Sequence, residues 1–411
     1  MGTLPGDNVS MSNDGVRTAT IHHFFTAASW IEGAATIQLE QVARLASMQA
    51  VAAFPDLHPG KYGPVGIVAR ADRLYPQLIG NDIGCGMALF ALDMPLRKLS
   101  LDKAIEQFRQ IETIDRPDLG ERLEDQGIPA DCHPNALGSL GGGNHFCELQ
   151  AVHGLIGADT NATIDRQSLY LLVHSGSRGL GALIFDDTIK RAGSLSEGLD
   201  AGDVAGAAWL AAHDRAVAWA KLNRRIIAER AAACLRADLR LVVDVPHNIV
   251  RRDGGAFVHH KGSAAVTVGA LAPIAGSRAT LSYLVEALPA TDLSLGGISH
   301  GAGRKYDRQA MHGRVGLNRS EREALAGNPF GGRVICDDRA LLIEEAATAY
   351  KNAATVVDDL VHFGLVRPIA SMKPLITYKS AGGSAEVKRK DERRIRERRR
   401  DQNRERRPRH D

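Results

Sequence analysis

Six residues along the chain are of types that bind transition metals or attack phosphorus. All lie in glycine-rich or β-branched settings: Asp82, Cys85, His145, His174, His247 and His300. Asp82 and Cys85 are three residues apart in a turn that contains Gly84, so a carboxylate and a thiolate can reach one cation. A thiolate paired with a carboxylate is unusual outside metal sites. The sequence therefore predicts a metal site that includes Cys85.

Five of these residues divide into two groups around one sulfur atom. Asp82 and His145 are candidates for one metal, His174 and His247 for another, and Cys85 would bridge the two. Metals about 3.5–4 Å apart suit phosphoryl chemistry, because they stabilise attacking and leaving oxygens together. The donors fit Mn²⁺, Zn²⁺ or Co²⁺. Taken singly, each histidine is more often structural, and a free cysteine is more often a small buried hydrophobe.

His300 lies among small residues, and an exposed imidazole in such a loop can attack phosphorus. Arg304 and Arg308 follow it closely and would hold anionic oxygens. The glycine triplet at 141–143 precedes Asn144, and glycines let backbone amides approach a phosphate without a β-carbon in the way. Most such triplets are only turns. These segments predict a nucleotide beside the metals.

The secondary structure predicted from the sequence would bring the histidines to one pocket. Residues 170–173 and 239–245 predict strands that stop at His174 and His247. Strand ends can direct side chains into a shared pocket, which favours metal binding over packing. Residues 204–237 predict the longest helix. The spacing of apolar residues predicts another helix over 31–53, which two prolines end in a loop.

The alternation of helix and strand predicts a mixed α/β (α+β) fold, with β-sheets flanked by helices in a single large domain. With 411 residues, 44% of them hydrophobic, the chain can bury a large core. It has no long apolar run and no secretory signal, so we expect a cytoplasmic enzyme with no membrane partner. Five scattered cysteines without a CxxC pair argue for a reducing compartment.

The end of the sequence is strongly basic. Residues 386–411 contain thirteen Lys or Arg and seven Asp or Glu, a net charge of +6, while the whole chain carries +3. This segment has almost no apolar residues and is predicted to be disordered or a solvated helix. We divide the chain into a catalytic domain, 1–380, and a basic tail, 381–411. The tail is expected to contact nucleic-acid phosphates, and a purely solvating extension is the alternative.

Four motifs, in the same order as in the family, resemble the RtcB family of RNA-splicing ligases. They are DIGCGM at 82–87, GGNHF at 142–146, HSGSRG at 174–179 and SHGAGR at 299–304. The resemblance extends from about residue 58 to residue 373. It implies an RtcB-like domain that joins RNA 3′-phosphate or 2′,3′-cyclic phosphate ends to 5′-hydroxyl ends, with two Mn²⁺ ions and GTP.

The resemblance also implies roles for individual residues. Cys85 would bridge the two Mn²⁺ ions, the other four ligands would divide as grouped above, and His300 would carry GMP as a covalent phosphoramidate. Arg178 and Arg308 would contact RNA phosphates. The implied GTP contacts are Asn144, Glu148, Ser277, Ser282, Ala302, Gly303, Tyr350 and Lys373.

Three segments near the implied guanosine and RNA contacts depart from the family pattern. AGSR at 275–278 replaces PGSM, KYDR at 305–308 replaces R/K-MSR, and EAA at 345–347 replaces EAP. The family chain ends soon after a Lys-Gly pair, whereas here Lys373 is followed by further residues and the basic tail. This ending and the short body resemble the branch coupled to release factor H. That branch implies a release-factor-H homologue as partner and ribosomal RNA repair as the role.

Two other functions fit the residues. A two-metal phosphodiesterase, or cyclic-phosphate hydrolase, would use the same ions without guanylylation. Whether His300 becomes labelled by GTP distinguishes the ligase from the hydrolase. A non-enzymatic RNA-binding factor would rely on the basic tail and hold its metal for structure. Removal of 386–411 would abolish the function of such a factor but only weaken RNA binding by a ligase.

Overall fold

The computed structural model describes residues 18–114, 117–157, 164–192 and 195–380, so the predicted basic tail lies outside the described residues. Within these ranges, β-sheets and helices form a mixed α+β fold, as predicted. None of the helices described is long and apolar enough to cross a membrane. The α-helices are α1 (Gly33–Ala43), α2 (Pro76–Ile79), α3 (Leu101–Phe108), α4 (Leu119–Glu124), α5 (Gly179–Ala192), α6 (Val204–Leu235), α7 (Arg308–Met311), α8 (Arg319–Ala324), α9 (Arg339–Glu344) and α10 (Ala353–His362).

The strands of the described residues form three sheets. They are β1 (Thr20–His23), β2 (Met48–His58), β3 (Val65–Ala71), β4 (Gly86–Pro95), β5 (Phe146–Leu155), β6 (Ser168–Ser175), β7 (Leu239–Pro246), β8 (Asn248–Asp253), β9 (Ala256–Lys261), β10 (Ser263–Ala265), β11 (Leu271–Ile274), β12 (Ser282–Ala287), β13 (Gly297–Ser299), β14 (Arg333–Ile335) and β15 (Val366–Tyr378). The largest sheet has the order β11-β12-β15-β5-β6-β4-β7, with β14 beside β15. A five-stranded sheet has the order β1-β2-β3-β9-β8, and β10 pairs with β13.

Four neighbouring strands of the largest sheet end at the same edge. β5, β6, β4 and β7 are antiparallel to one another in that order. In the register, Gly86 at the start of β4 faces Ser175 at the end of β6 and Pro246 at the end of β7. Phe146 at the start of β5 faces His174. Residues just outside these four strand ends therefore lie close together.

The strands predicted for 170–173 and 239–245 are confirmed as β6 and β7, and the longest helix is confirmed as α6, with 32 residues. α6 packs against the largest sheet and buries Trp219 and Arg224 completely. The indole nitrogen of Trp219 donates a hydrogen bond to the carbonyl of Cys132 at 3.1 Å. This helix therefore supports the sheet behind the edge where the strands end.

The helix predicted over 31–53 is wrong in its second half. α1 ends at Ala43, Ser47 takes a left-handed φ of 58°, and β2 begins at Met48. β2 is buried on both faces over most of its length, so its apolar residues run continuously and hide the alternation that identifies a strand.

The loop predicted after that helix, residues 54–60, is strand as far as His58, the last residue of β2. β2 pairs with β3 at Ala53 and again at His58, but the register shifts between them, which marks a bulge at residues 54–57. Pro55 is tolerated in the bulge because the ladder of backbone hydrogen bonds is interrupted there.

Truncating the Trp219 side chain should destabilise the fold. Replacement with alanine removes a completely buried ring, and we expect the free energy of unfolding to fall by about 3–5 kcal/mol. Urea unfolding followed by circular dichroism measures this change. Lys221→Ala, on the exposed side of α6, is the matched control and should change stability by less than about 0.5 kcal/mol. Equal effects of the two changes would contradict the packing described for α6.

Candidate active site

All five predicted metal ligands meet at the edge where the four strands end. Asp82 and Cys85 precede β4, His145 precedes β5, His174 is the penultimate residue of β6, and His247 follows β7. Their ligand atoms form two sets of three, Asp82–Cys85–His145 and Cys85–His174–His247, and within each set all lie within 4.8 Å of one another. The structure thus brings the residues together in the two groups suggested by the sequence, with one sulfur in both.

The ligand atoms converge closely. Cys85 Sγ lies 3.4 Å from His145 Nε2 and 3.2 Å from His174 Nε2. His145 Nε2 lies 3.0 Å from Asp82 Oδ2, and the Nε2 atoms of His174 and His247 are 3.2 Å apart. Imidazole nitrogens, a thiol and a carboxylate directed at common centres are a donor set that borderline-soft divalent cations bind. The residues present therefore fit a pair of divalent metal ions.

Glycine shapes the turn that carries Cys85. Gly84 has a φ of 73°, and a β-carbon there would lie 2.9 Å from both Ala220 Cβ and Val217 Cα of α6. The carbonyl of Cys85 accepts a hydrogen bond from the His247 amide at 2.8 Å. The absence of a side chain at Gly84 lets the turn lie directly on α6, and the backbone of Cys85 holds the loop of His247.

Two polar residues of α6, Asn223 and Arg224, support the site from behind, and no local pattern indicates their role. The buried Arg224 donates to the carbonyls of Gly84 and Ser175 at 2.8 and 2.9 Å, and its Nε donates to Asp244 Oδ1 at 2.9 Å. Asn223 Nδ2 donates to the Ser175 hydroxyl at 3.2 Å. An Asn-Arg pair in a long helix normally indicates a solvated face, so only the fold shows that both are internal.

Burial sets the protonation of the ligands. Burial, reinforced by the Asp82 carboxylate, raises the pKa of the Cys85 thiol well above its usual value. Burial also lowers the pKa of His174 and His247 well below the ordinary value, so both imidazoles are neutral. Burial alone would raise the pKa of Asp82, but His145 lowers it below the ordinary range. Neutral imidazoles can bind a cation directly, whereas Cys85 becomes a thiolate when a cation displaces its proton.

His300 lies beside the ligands and is held by a carboxylate. It follows β13, and its ring centroid is 4.4 Å from that of His247. Its Nδ1 lies 2.9 Å from Asp56 Oδ2, and Asp56 Oδ1 accepts from the Ser299 hydroxyl at 2.9 Å. Asp56 is fully buried in the bulge of β2. The sequence analysis missed this residue, because the segment was predicted as loop. Its one signal was an acidic residue within an apolar, proline-containing run.

A cavity of about 660 Å³ adjoins these groups, a size suited to a nucleotide. Its walls include Cys85, His174, His247 and His300. Six of the eight residues expected to contact GTP also line it: Asn144, Glu148, Ser277, Ala302, Gly303 and Tyr350.

The other two residues expected to contact GTP do not line this cavity. Ser282 lies behind its wall, where its hydroxyl accepts from the Gly276 amide at 3.0 Å. Lys373 lies within β15, opposite Ala151. β15 continues past Lys373 to Tyr378, and the next residue, the buried Lys379, lines the cavity and donates from Nζ to the His145 carbonyl at 3.0 Å. The residues that follow Lys373 thus supply a cation to the cavity wall.

The glycine triplet makes room for arginines, and its glycines do not line the cavity as the phosphate-binding expectation required. A β-carbon on Gly141 would overlap the Arg178 guanidinium, and one on Gly143 would lie 3.1 Å from that of Arg308. Arg308 lines the cavity and Arg178 does not. The absent side chains therefore let two guanidinium groups approach the backbone.

A buried carboxylate, Glu345, organises the cationic wall of the cavity. It accepts from Arg304 at 3.0 Å and from Arg308 at 3.3 Å, Lys379 Nζ lies 3.6 Å away, and the Tyr350 hydroxyl donates to it. Burial alone would raise the pKa of Glu345, but Lys379 and Arg304 lower it to about 2. Glu345 is therefore ionised and holds two arginines in place. The sequence analysis had given it no role.

The chain is similar to known RNA-processing proteins over most of its length. The family model described as tRNA-splicing ligase RtcB matches residues 38–126 and 125–380. RNA-splicing ligase RtcB2 of Escherichia coli is 41% identical over 373 residues, covering 87% of this chain and 96% of the relative. RNA-splicing ligase RtcB1 of Escherichia coli is 26% identical, covering 80% and 90%. tRNA-splicing ligase RtcB of Archaeoglobus fulgidus is 28% identical, covering 82% and 90%.

If each of the two ligand groups binds an ion, replacing Cys85 with alanine should remove both ions, because Cys85 belongs to both groups. We expect affinity to fall by more than the roughly 10- to 100-fold typical of an outer-shell change. Plasma mass spectrometry after loading with Mn²⁺ and gel filtration measures the metal content. Cys234→Ala is the control, because it removes a buried thiol outside both ligand groups and should keep full metal content. Full metal content in the Cys85 variant would refute the bridging assignment.

Proposed function

The chain belongs to the RtcB family, and from this we propose that it is an RNA ligase that uses GTP and Mn²⁺. It would join an RNA 3′-phosphate, or a 2′,3′-cyclic phosphate opened first to a 3′-phosphate, to a 5′-hydroxyl. One observation carries the proposal: His300, held by Asp56, shares a cavity with two ligand groups that have the Cys85 sulfur in common. The names of the relatives, RNA-splicing and tRNA-splicing ligases, agree with it.

His300 is the proposed nucleophile. The Asp56 carboxylate accepts a hydrogen bond from Nδ1–H of His300, which favours the tautomer whose lone pair is on Nε2. Nε2 would attack the α-phosphorus of GTP, forming an N–P bond while the bond to the β-phosphate oxygen breaks and pyrophosphate leaves. The imidazole must be neutral to act, because a protonated Nε2 has no lone pair with which to attack phosphorus.

The guanylate then passes to RNA. An oxygen of the RNA 3′-phosphate would attack the phosphorus on His300, so the N–P bond breaks and the imidazole is restored. The 5′-hydroxyl of the second RNA end would attack the activated 3′-phosphate, forming the phosphodiester, releasing its proton and expelling GMP. Arg178 and Arg308 are the proposed contacts for the RNA phosphates, because guanidinium groups bind phosphate with two hydrogen bonds.

The remaining residues of the site would bind the metals and the guanosine. Two Mn²⁺ ions held by the two ligand groups would neutralise charge at each displacement. Glu148 is buried and accepts from Thr377 Oγ1 at 2.5 Å and Gln150 Nε2 at 2.7 Å. A fixed carboxylate of this kind suits the N–H donors on the edge of guanine. Lys379 joins the proposed GTP contacts. Ser282, behind the cavity wall, and Lys373, within β15, would support the residues that contact GTP.

The biological setting remains a prediction. A release-factor-H homologue as partner, ribosomal RNA as substrate, phosphate contacts by the basic tail and a cytoplasmic location are all part of the proposal. The names of the relatives mention neither a release factor nor ribosomal RNA.

Covalent guanylylation distinguishes the ligase from a hydrolase. After incubation with GTP and Mn²⁺, intact-mass spectrometry should show an acid-labile GMP adduct on the wild-type chain. His300→Ala should form none while keeping its metal content, because the five ligands are untouched. Cyclic-phosphate opening by the wild type without any adduct would replace the ligase proposal with the hydrolase.

The affinity for GTP should depend on Glu148. Burial raises the pKa of this carboxyl to about 7. Guanine donors favour its ionised form, so GTP binding should be strongest above pH 7 and weaken by up to tenfold per unit as the pH falls below it. Titration calorimetry of His300→Ala with GTP isolates binding from transfer. Added to that background, Glu148→Gln should bind more weakly at pH 8 and lose the pH dependence; an unchanged profile would exclude this contact.

A further inference from the structure

Lys351 connects the two segments that orient the His300 imidazole. Its Nζ donates to the carbonyls of Pro55 and Leu57, at 2.8 and 2.7 Å. These are the peptide carbonyls on either side of Asp56, in the bulge of β2. The backbone amide of Lys351 donates to the Gly303 carbonyl at 3.0 Å, in the loop that carries His300. Lys351 thus contacts both the segment that carries Asp56 and the loop that carries His300.

The bulge is closely packed around Asp56. Gly66 and Gly303 both have positive φ, and a β-carbon on Gly66 would lie 2.8 Å from the Leu57 amide nitrogen. One on Gly303 would lie 2.4 Å from the Asp56 carbonyl oxygen. The backbone of the bulge therefore has little freedom on these sides. The backbone carbonyls of the bulge are not paired between β2 and β3, and Lys351 donates hydrogen bonds to two of them.

Lys351 also supplies charge that the Asp56 carboxylate lacks locally. Asp56 is fully buried, and its hydrogen bonds come from the hydroxyl of Ser299 and from the backbone and ring of His300, none of them a permanent cation. Burial lowers the pKa of Lys351 to about 8, and Asp56 opposes this, so the ammonium group is charged at neutral pH. The opposite charges of Lys351 and Asp56 attract each other, which helps to hold the lysine beside the carboxylate.

We propose that Lys351 is a positioning residue for His300, acting through Asp56. By holding the two carbonyls that flank Asp56, it fixes the carboxylate that selects the ring orientation and tautomer of the nucleophile. Lys351 is not among the residues that line the cavity, so it orients the machinery without touching substrate. The proposal rests on the proposed function in taking His300 as the nucleophile.

Guanylylation rates test this role. In Lys351→Met, the maximal rate of GMP-adduct formation should fall about 10- to 100-fold, while half-saturation by GTP and metal content stay within about twofold of wild type. Lys351→Arg, which keeps charge and donors, should recover most of the rate. Lys103→Met, an exposed lysine of α3, is the matched control and should react like wild type.

A double-mutant cycle separates positioning from general destabilisation. Because Lys351 acts through Asp56, adding Lys351→Met to Asp56→Asn should lower the rate little further. A double variant whose rate falls by the product of the two single effects would overturn the proposal. So would a wild-type rate in Lys351→Met. If the methionine variant does not fold, Lys351→Gln, which keeps one donor, takes its place under the same criteria.

A second measurement does not depend on GTP chemistry. In metal-free protein labelled with ¹⁵N-histidine, long-range ¹H–¹⁵N spectra should show His300 as the Nδ1–H tautomer. In Lys351→Met the signals should shift toward a mixture of the two tautomers, and an unchanged spectrum would overturn the positioning role. If the wild type forms no GMP adduct, the proposed function fails, while this spectrum still decides the role of Lys351.

Discussion

The site depends on the register of four antiparallel strands. β5, β6, β4 and β7 alternate in direction, so two strands begin and two end at one edge of the sheet. Every ligand candidate lies at or just outside one of these ends, and the shared sulfur of Cys85 lies between the two groups. A slip of one residue in any pairing would turn the adjacent side chains to the other face of the sheet. α6, with its buried Asn223 and Arg224, fastens the loops at that edge.

The sequence predicted the convergence of the five candidate metal ligands, because local features mark each of them. Glycines, strand-like runs and the residue types themselves all occur within a few positions of each ligand, and their division around Cys85 followed from donor chemistry. β6, β7 and α6 were predicted for the same reason, as each has a strong local pattern. β2 was not, since a strand buried on both faces has no alternation to detect, and the apolar spacing across the turn at Ser47 imitates a helix.

The supporting residues could not be predicted because their partners are distant in the chain. Asp56 and His300 are separated by 244 positions, and Lys379 and His145 by 234. Nothing near Asp56 indicates a histidine partner, and nothing in the glycine triplet indicates that arginines fill the space it leaves. Lys373 was implied by the family resemblance, whereas Lys379, six positions further along the chain, is the one of the two that lines the cavity. Such pairings are properties of the packed sheets and have no local signature.

The residues of the site come from three different sheets, and the bulge in β2 supplies the one from the five-stranded sheet. The candidate metal ligands lie at or next to strand ends of the largest sheet, whereas Asp56 lies in the five-stranded sheet and His300 follows the two-stranded one. A relative displacement of about 1 Å between reacting groups is enough to suppress a reaction. Under the proposed function, mild loosening between these sheets would thus yield molecules that still hold their cations but do not transfer the guanylate. Metal occupancy alone is consequently a poor gauge of how much of a preparation is competent.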